Sequence, residues 1–476
     1  MALVDYMGFR VVAMSVLPIN NKTLVYGTND GGVVIHNSNF KLHELMKQAA
    51  EIINIKKHIC GLRTASGKRL KGWQELYSPA DLEGHCGDDG SFYLVDFART
   101  MPPEAPPPNN KKRQHLYKLL RPEFVKAWDI PLCPDSFSGF ILADDNYNVH
   151  NQQVKVATEY LYHEHIPRFV RDSLVWQIIE AKERNKLHKF PLTEAIHSKG
   201  ICLRHIGLIL YNVRDEEEFK IVKIVLVIEA IARVLKNKLR GLLRRKMKSL
   251  KQPLEAPYRH LVVKFLNLVF GTSQASEEFW QNIIKPQLKS KFVITGIWTD
   301  PIFPLKTWLV NNSHALCACL HLFNRVVSLT GLKFTNLALN KFKGPISFGQ
   351  LIKEPYPFDD TYLHEIGYRV KVGFSDFHSS FPSSFLLFLL SPFAPSSLLS
   401  PPSFSPFFLL HLPYWACTQW EMKQKDRENF FFSNEPGEQF YCTASASNYF
   451  PLFQSFIPSA PDGCESFFFY MIHHMI

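Results

Sequence analysis

The side chains best suited to chemistry are densest between Asp81 and Glu104, which reads DLEGHCGDDGSFYLVDFARTMPPE. Glu83, His85, Asp88 and Asp89 bring carboxylates and an imidazole close together, the material of a general acid–base pair or a metal site. A plainer use is open to the same residues. Carboxylates in a turn built on Gly84, Gly87 and Gly90 accept backbone N–H groups, and Asp96 pairs locally with Arg99. No spacing in the stretch matches a metal-binding loop. A second dense motif, LTEAIHSKGICLRHIGLILY, follows from Leu192 and carries His197, Gly200 and Arg204. A hydrolase using Glu83, His85 and Asp89, with His197 and Arg204 near them in space, is one reading. The sequence has no G-x-S-x-G, H-E-x-x-H or phosphate-cradling loop to support it. The expectation is therefore no catalytic residue, no metal and no cofactor. Glu83, His85, Asp89, Asp96, Arg99, His197, Gly200 and Arg204 stand as motif positions serving structure or binding.

A further group, His314, Cys317, Cys319 and His321, has the residue types of a zinc site. On a helix His314, Cys317 and His321 share a face and Cys319 points away, so a buried apolar helix is expected instead.

Charge suggests a different chemistry. The chain has 476 residues and a net charge of +11. From Phe377 onward there are three basic and seven acidic residues, so the tail is −4 and residues 1–376 carry +15. A body that basic favours polyanions such as RNA or an anionic membrane face. Candidate RNA-phosphate contacts are Lys236, Lys238, Arg240, Arg244, Arg245 and Lys248, with Arg63, Lys68, Arg69 and Lys71 as a second cluster; a solvated basic helix end is the plainer alternative. The nine cysteines are scattered and odd in number, as in a reduced cytosolic protein. The start lacks the basic and apolar regions of a signal peptide, and no apolar segment is long enough to span a bilayer.

The elements that must position these residues read as α+β: β-rich over 8–150, then mainly helical over 151–345. Phe9 to Pro18 and Thr23 to Gly27 read as strands. Asn29-Asp30-Gly31-Gly32 is a turn signal, and Val33-Val34-Ile35 is the next strand. Helical spacing runs from Phe40 to Leu62, and residues 63–80 are loop-like. A polar turn at 83–90 feeds the strand Phe92–Val95, and Pro102 to Arg113 is a polyproline-type linker. Helix resumes over Asn151–Lys189, broken at Pro167. The longest helix is expected from Arg214 to Lys251, opened by acids and closed by bases that complement its dipole. A shorter helix, Ser276–Phe292, is stopped or kinked at Pro286. Residues 373–476 are a Phe/Ser/Leu/Pro-rich tail without periodicity and with no stable fold expected; those residues share pyrimidine-rich codons, as translated non-coding sequence would.

Taken in order, several of these stretches resemble the central domain of the clustered mitochondria (Clu) family. They are Gly8 to Ile19 with Leu24–Gly27, Asp81 to Glu104, Leu120–Glu123, Asp135 to Gly139, and Asn151 to Pro167. His197 to Gly207 resembles the family's HxxGINxRxxG signature, with Cys202 where asparagine is usual. Glu229 to Arg245 resembles the helix that follows it, and Phe279 to Phe292 a later FWxxxIxPxL segment. The resemblance covers about residues 8 to 345 and marks 1–372 as a Clu-like domain. It implies a non-enzymatic cytoplasmic protein that helps distribute mitochondria and binds messenger RNAs for mitochondrial proteins. Its implied partners are mRNA, the ribosome or initiation machinery, and the mitochondrial surface. The family's N-terminal ubiquitin-like region and C-terminal tetratricopeptide repeats are not found in this sequence, so an inactive truncated fragment is a further alternative.

Overall fold

The computed structural model describes residues 2–14, 16–108, 113–250, 255–292, 305–311, 318–342, 344–366, 369–372, 442–443 and 468–470. It is α+β, β-rich near the N-terminus and mainly helical afterwards.

The first hairpin pairs β1 (Ala2–Tyr6) with β2 (Phe9–Met14), closing with Tyr6 opposite Phe9. Its two-residue turn, Met7-Gly8, has φ of 44° and 86°. Positive φ at both positions matches the right-handed twist of the strands. A Cβ on Gly8 would lie 2.3 Å from the Arg240 carbonyl oxygen, so the hairpin tip is pressed against a helix backbone. Arg369–Val372 adds antiparallel to the outer side of β1. Phe468–Tyr470 pairs with β2 and Cys442–Thr443 with it, the only part of the tail among the described residues.

A four-stranded sheet follows, built from β3 (Leu24–Gly27) and β4 (His36–Asn37) with β7 (Glu83–Cys86) and β8 (Phe92–Val95), in the order β4-β3-β7-β8. A separate small pair joins β5 (His58–Cys60) to β6 (Gln74–Leu76). Tyr26, Ile35, Leu42, Met46, Cys60, Leu76, Ala80 and Leu82 form the core beneath them. Tyr26 is fully enclosed, and its hydroxyl accepts the Tyr77 N–H at 2.8 Å.

Several sequence expectations are corrected here. Val33 and Val34 are exposed loop residues, because the Asp30 carboxylate accepts both their N–H groups and takes those donors from any ladder. The first helix, Phe40–Ile53, stops nine residues short of Leu62. Asn54 takes a left-handed conformation, and its side-chain amide donates to the carbonyls of Val125 and Trp128 at 2.8 and 2.7 Å. What reads as one polar turn is a strand, β7, followed by a tight turn in which Gly87 N–H donates to Ser91 and Gly90 N–H to Gly87. Pro102 to Glu104 is docked, not a free linker: Leu120 N–H donates to Pro102, and Glu104 N–H to Lys118.

Neither proline breaks its helix as expected. Pro167 and Pro286 each sit two residues after a π-helical turn, Leu161–His165 and Trp280–Ile284, within otherwise continuous helical stretches. A widened turn accommodates a ring that has no N–H and crowds the preceding carbonyl.

The long helix spans Lys220–Leu250, and its first half is buried almost all round. The acids Asp215–Glu218 lie before it, so its first turn carries none, and Asp215 instead pairs with Lys223. Ala318–Thr330 packs beside it and buries Leu322, Phe323, Val326 and Leu329.

Gly200 gives a direct test of the helical half. It is buried at φ 70°, and a Cβ there would meet the Phe124 backbone nitrogen at 2.5 Å. Gly31 has a similar φ of 75° with open space around it. Gly200→Ala is expected to cost well over about 2 kcal/mol and Gly31→Ala about 1 kcal/mol. Denaturant melts of both variants check this; equal losses would show that the contact with Phe124 carries nothing.

Candidate functional site

The eight motif positions fall into separate environments. His85, buried on β7, has Nδ1 3.0 Å from the Thr23 hydroxyl and Nε2 3.3 Å from Glu83 Oε2. Asp89 is exposed in the following turn, where it accepts the Tyr93 hydroxyl at 2.7 Å and the Ser91 N–H at 3.0 Å. The Tyr93 bond, then the Ser91 N–H, holds its carboxyl below the usual range. Glu83 and His85 are thus together, while Asp89 is engaged elsewhere. His197 ends the short helix Leu192–His197, and Gly200 follows it against Phe124.

The local Asp96–Arg99 pairing is not what forms. Asp96 takes a left-handed φ of 52°. Arg99 reaches back to Asp81 at 2.6 and 2.9 Å and forward to Asp135 Oδ1 at 2.9 Å. Asp135 is wholly buried, and two more buried side chains meet it. His58 Nε2 lies 3.0 Å from its Oδ2 and 3.1 Å from Cys60 Sγ, and the Ala80 N–H donates to the same Oδ2 at 2.8 Å. The sequence signal for this cluster is the alternation His58-x-Cys60, which turns both side chains to one side of β5, while Asp135 comes from a turn in which Ser136 N–H donates to the Cys133 carbonyl.

Arg204 joins the two dense motifs. Its guanidinium donates to Glu104 Oε1 at 3.1 and 2.5 Å and to the Leu119 carbonyl at 2.5 Å. His205 Nε2 lies 2.7 Å from the same oxygen, and the Tyr162 hydroxyl donates to Oε2 at 2.8 Å. Glu104 is 3% exposed. Burial pushes its carboxyl up, but the hydrogen bonds and charges of His205 and Arg204 override it and bring the pKa down to about 2. A third buried acid, Glu229, receives Arg233 at 2.7 Å and Arg325 at 2.5 and 2.8 Å, and both guanidiniums also donate to Thr193.

The candidate phosphate contacts divide by face. Lys236 and Arg240 lie beside the first hairpin, half-buried, and Arg240 is 3.6 Å from Asp5. Burial first, then the nearby Arg10, Arg240 and Arg233, pushes the Lys236 ammonium down to about 8. Helical spacing puts Lys238, Arg245 and Lys248 on the face opposite the buried Leu239, Leu243 and Met247, with Arg244 at its edge. Arg245 and Lys248 are exposed and Lys238 is partly so. In the second cluster Arg63 and Arg69 converge on Asp145, while Lys68 and Lys71 are exposed. His314 and Cys317 lie outside the described residues; Cys319 is buried on the helix Ala318–Thr330. No helix among the described residues is long and apolar enough to cross a membrane.

The strand-rich N-terminal region and the helical region that meets it through Glu104 correspond to two known protein families. Residues 1–106 match the family model for Clustered mitochondria, and residues 190–296 that for Translation initiation factor eIF3 subunit 135. The first of these matches supports a likeness of the N-terminal region to the Clustered mitochondria family. The Clustered mitochondria protein of Arabidopsis thaliana is 34% identical over 134 residues, which is 27% of this chain and 9% of that protein. The Caenorhabditis elegans homolog is 34% identical over 110 residues, 22% and 8% of the two chains. The Danio rerio homolog is 30% identical over 146 residues, 26% and 10%. The chain therefore spans about a tenth of the length of the curated relatives it matches. No solved structure matches it.

The Glu104 cluster predicts an acid transition. A carboxyl whose folded pKa is depressed stabilises the fold above its unfolded pKa and loses that effect as pH falls toward the folded value. From about 4.5 down to about 2, Glu104 should shed roughly 3 kcal/mol of stability. Denaturant unfolding at pH 6 and pH 3 should show a smaller pH-dependent loss in Glu104→Gln than in the parent. Parallel losses would place the acid sensitivity elsewhere.

Proposed function

We propose that this chain is a non-enzymatic Clu-type module that works in mitochondrial distribution and engages RNA at the translation apparatus from the cytoplasmic side. The observation that carries this reading is the succession, on one chain, of a Clustered mitochondria region and an eIF3 subunit 135 region, the second containing the basic helix. The names of the relatives supply the mitochondrial part, and that of the second family the link to translation.

The RNA part rests on the outward face of Lys238, Arg245 and Lys248, which offers positive charge with no acidic partner among the described residues. Such a face binds phosphates with affinity and steering but no base readout. The enzyme alternative draws no support from Glu83 and His85, since that imidazole is buried and shared with Thr23.

The test is a titration of a single-stranded RNA with the purified chain at several salt concentrations. Affinity should fall linearly on logarithmic axes, and the triple substitution Lys238→Gln, Arg245→Gln and Lys248→Gln should reduce the slope by about 2. A folded chain that binds no RNA at low salt sinks the RNA reading. An unchanged slope in the triple variant removes this helix from it.

A further inference from the structure

The buried cluster around Asp135 has a composition that the proposed function does not use. Three donor atoms, His58 Nε2, Cys60 Sγ and Asp135 Oδ2, lie within 4.8 Å of one another, on residues that are all buried. We propose that they form a closed structural site for a zinc-class divalent ion, with Cys133 beside them as the fourth donor.

The spacing supports this. A tetrahedral zinc has bonds near 2.0 Å to nitrogen and oxygen and 2.3 Å to sulfur, which sets its donors about 3.3 to 3.6 Å apart. The observed separations are 3.0 Å for N–O, 3.1 Å for N–S and 3.7 Å for S–O. Small adjustments open the three atoms around a metal. Cys133 is also buried on the His58 side of the cluster, but its sulfur stands outside the 4.8 Å group, so it must swing inward to complete the four donors.

The surroundings are those a metal ligand needs. His58 Nδ1 lies 3.3 Å from the Lys56 carbonyl oxygen, which can only accept, so Nδ1 carries the hydrogen and Nε2 turns its other valence inward. Asp135 Oδ1 is held separately by Arg99 at 2.9 Å and by the Ser138 hydroxyl at 3.4 Å, leaving Oδ2 with the Ala80 N–H. Fixed partners on the far side of each ligand orient it.

Nε2 and Oδ2, 3.0 Å apart, must share a positive charge, either one proton or one cation. Zinc uptake would displace that proton and the Cys60 and Cys133 thiol protons to solvent, leaving one nitrogen, two thiolates and one carboxylate on the ion. The ligands come from β5 and from the segment before residue 139, so the ion would tie the small β5–β6 pair to the start of the helical half. Enclosure means that loading accompanies folding.

The experiment uses the full chain, expressed with added zinc and purified without chelator. Elemental analysis should find about one zinc per chain, as a closed site holds. Cys60→Ser should lose it while keeping the parent's circular dichroism, and Cys319→Ser should retain it. Cobalt substitution of the parent should give thiolate-to-cobalt charge-transfer absorption and the strong visible bands of a tetrahedral centre. That spectrum decides the matter if Cys60→Ser does not fold. A folded parent with neither zinc nor cobalt bands leaves a proton-bridged His58–Asp135 pair and overturns the site. So does zinc that survives in Cys60→Ser but is lost in Cys319→Ser.

Discussion

The architecture depends on how one buried carboxylate is satisfied. Glu104 follows the last strand of the four-stranded sheet, and its partners Tyr162, Arg204 and His205 all come from the helical half. An ionised carboxylate enclosed by protein is strongly destabilising unless charge and hydrogen bonds surround it. Only the observed docking supplies those partners together. The backbone on either side is held as well, by Leu120 N–H on Pro102 and by Glu104 N–H on Lys118. The prolines favour the extended conformation that this pairing requires. The strand-rich region therefore meets the helices in one register.

The same device recurs at Asp135 and Glu229. Each is a buried acid whose cations arrive from distant parts of the chain: Arg99 and His58 for Asp135, Arg325 and the local Arg233 for Glu229. Such groups are weak sources of net stability, because the desolvation cost offsets much of the attraction. Their value lies in selection among packings. An apolar interface slides at little cost, whereas a misplaced guanidinium leaves an unpaired charge inside. In this chain the three acids pin the sheet to the helices, the β5 strand to residue 135, and the long helix to Ala318–Thr330.

Local physics accounts for what was legible in the sequence. The strand Phe92–Val95, the long amphipathic helix and the α+β order follow from periodicity and turn chemistry acting over a few residues. Long-range competition accounts for what was not. Val33 to Ile35 has strand propensity, yet Asp30 captures its amides. Asp96 and Arg99 have the spacing of a local pair, yet Arg99 finds better-buried carboxylates at Asp81 and Asp135. The two prolines read as breaks because a π-helical turn has no sequence period of its own. Arg204 was visible as a motif residue, but its partner was not, since nothing within the motif says which of 43 acidic residues it meets.

The basic helix shows why charge counts alone mislead about function. Its cations form a single run in sequence, but a helix distributes a run around its axis. Lys236 and Arg240 turn toward Asp5 and Arg10 on the first hairpin, where burial weakens the hold of Lys236 on its proton. Those two charges belong to the packing of the hairpin tip, where Gly8 meets the Arg240 backbone. Lys238, Arg245 and Lys248 look outward and meet no acidic partner among the described residues. One segment thus has an internal electrostatic role and a separate outward charged face. Substitutions that ignore the division would disturb the hairpin packing and the outward charge together, whereas substitutions at the outward residues change the surface charge alone.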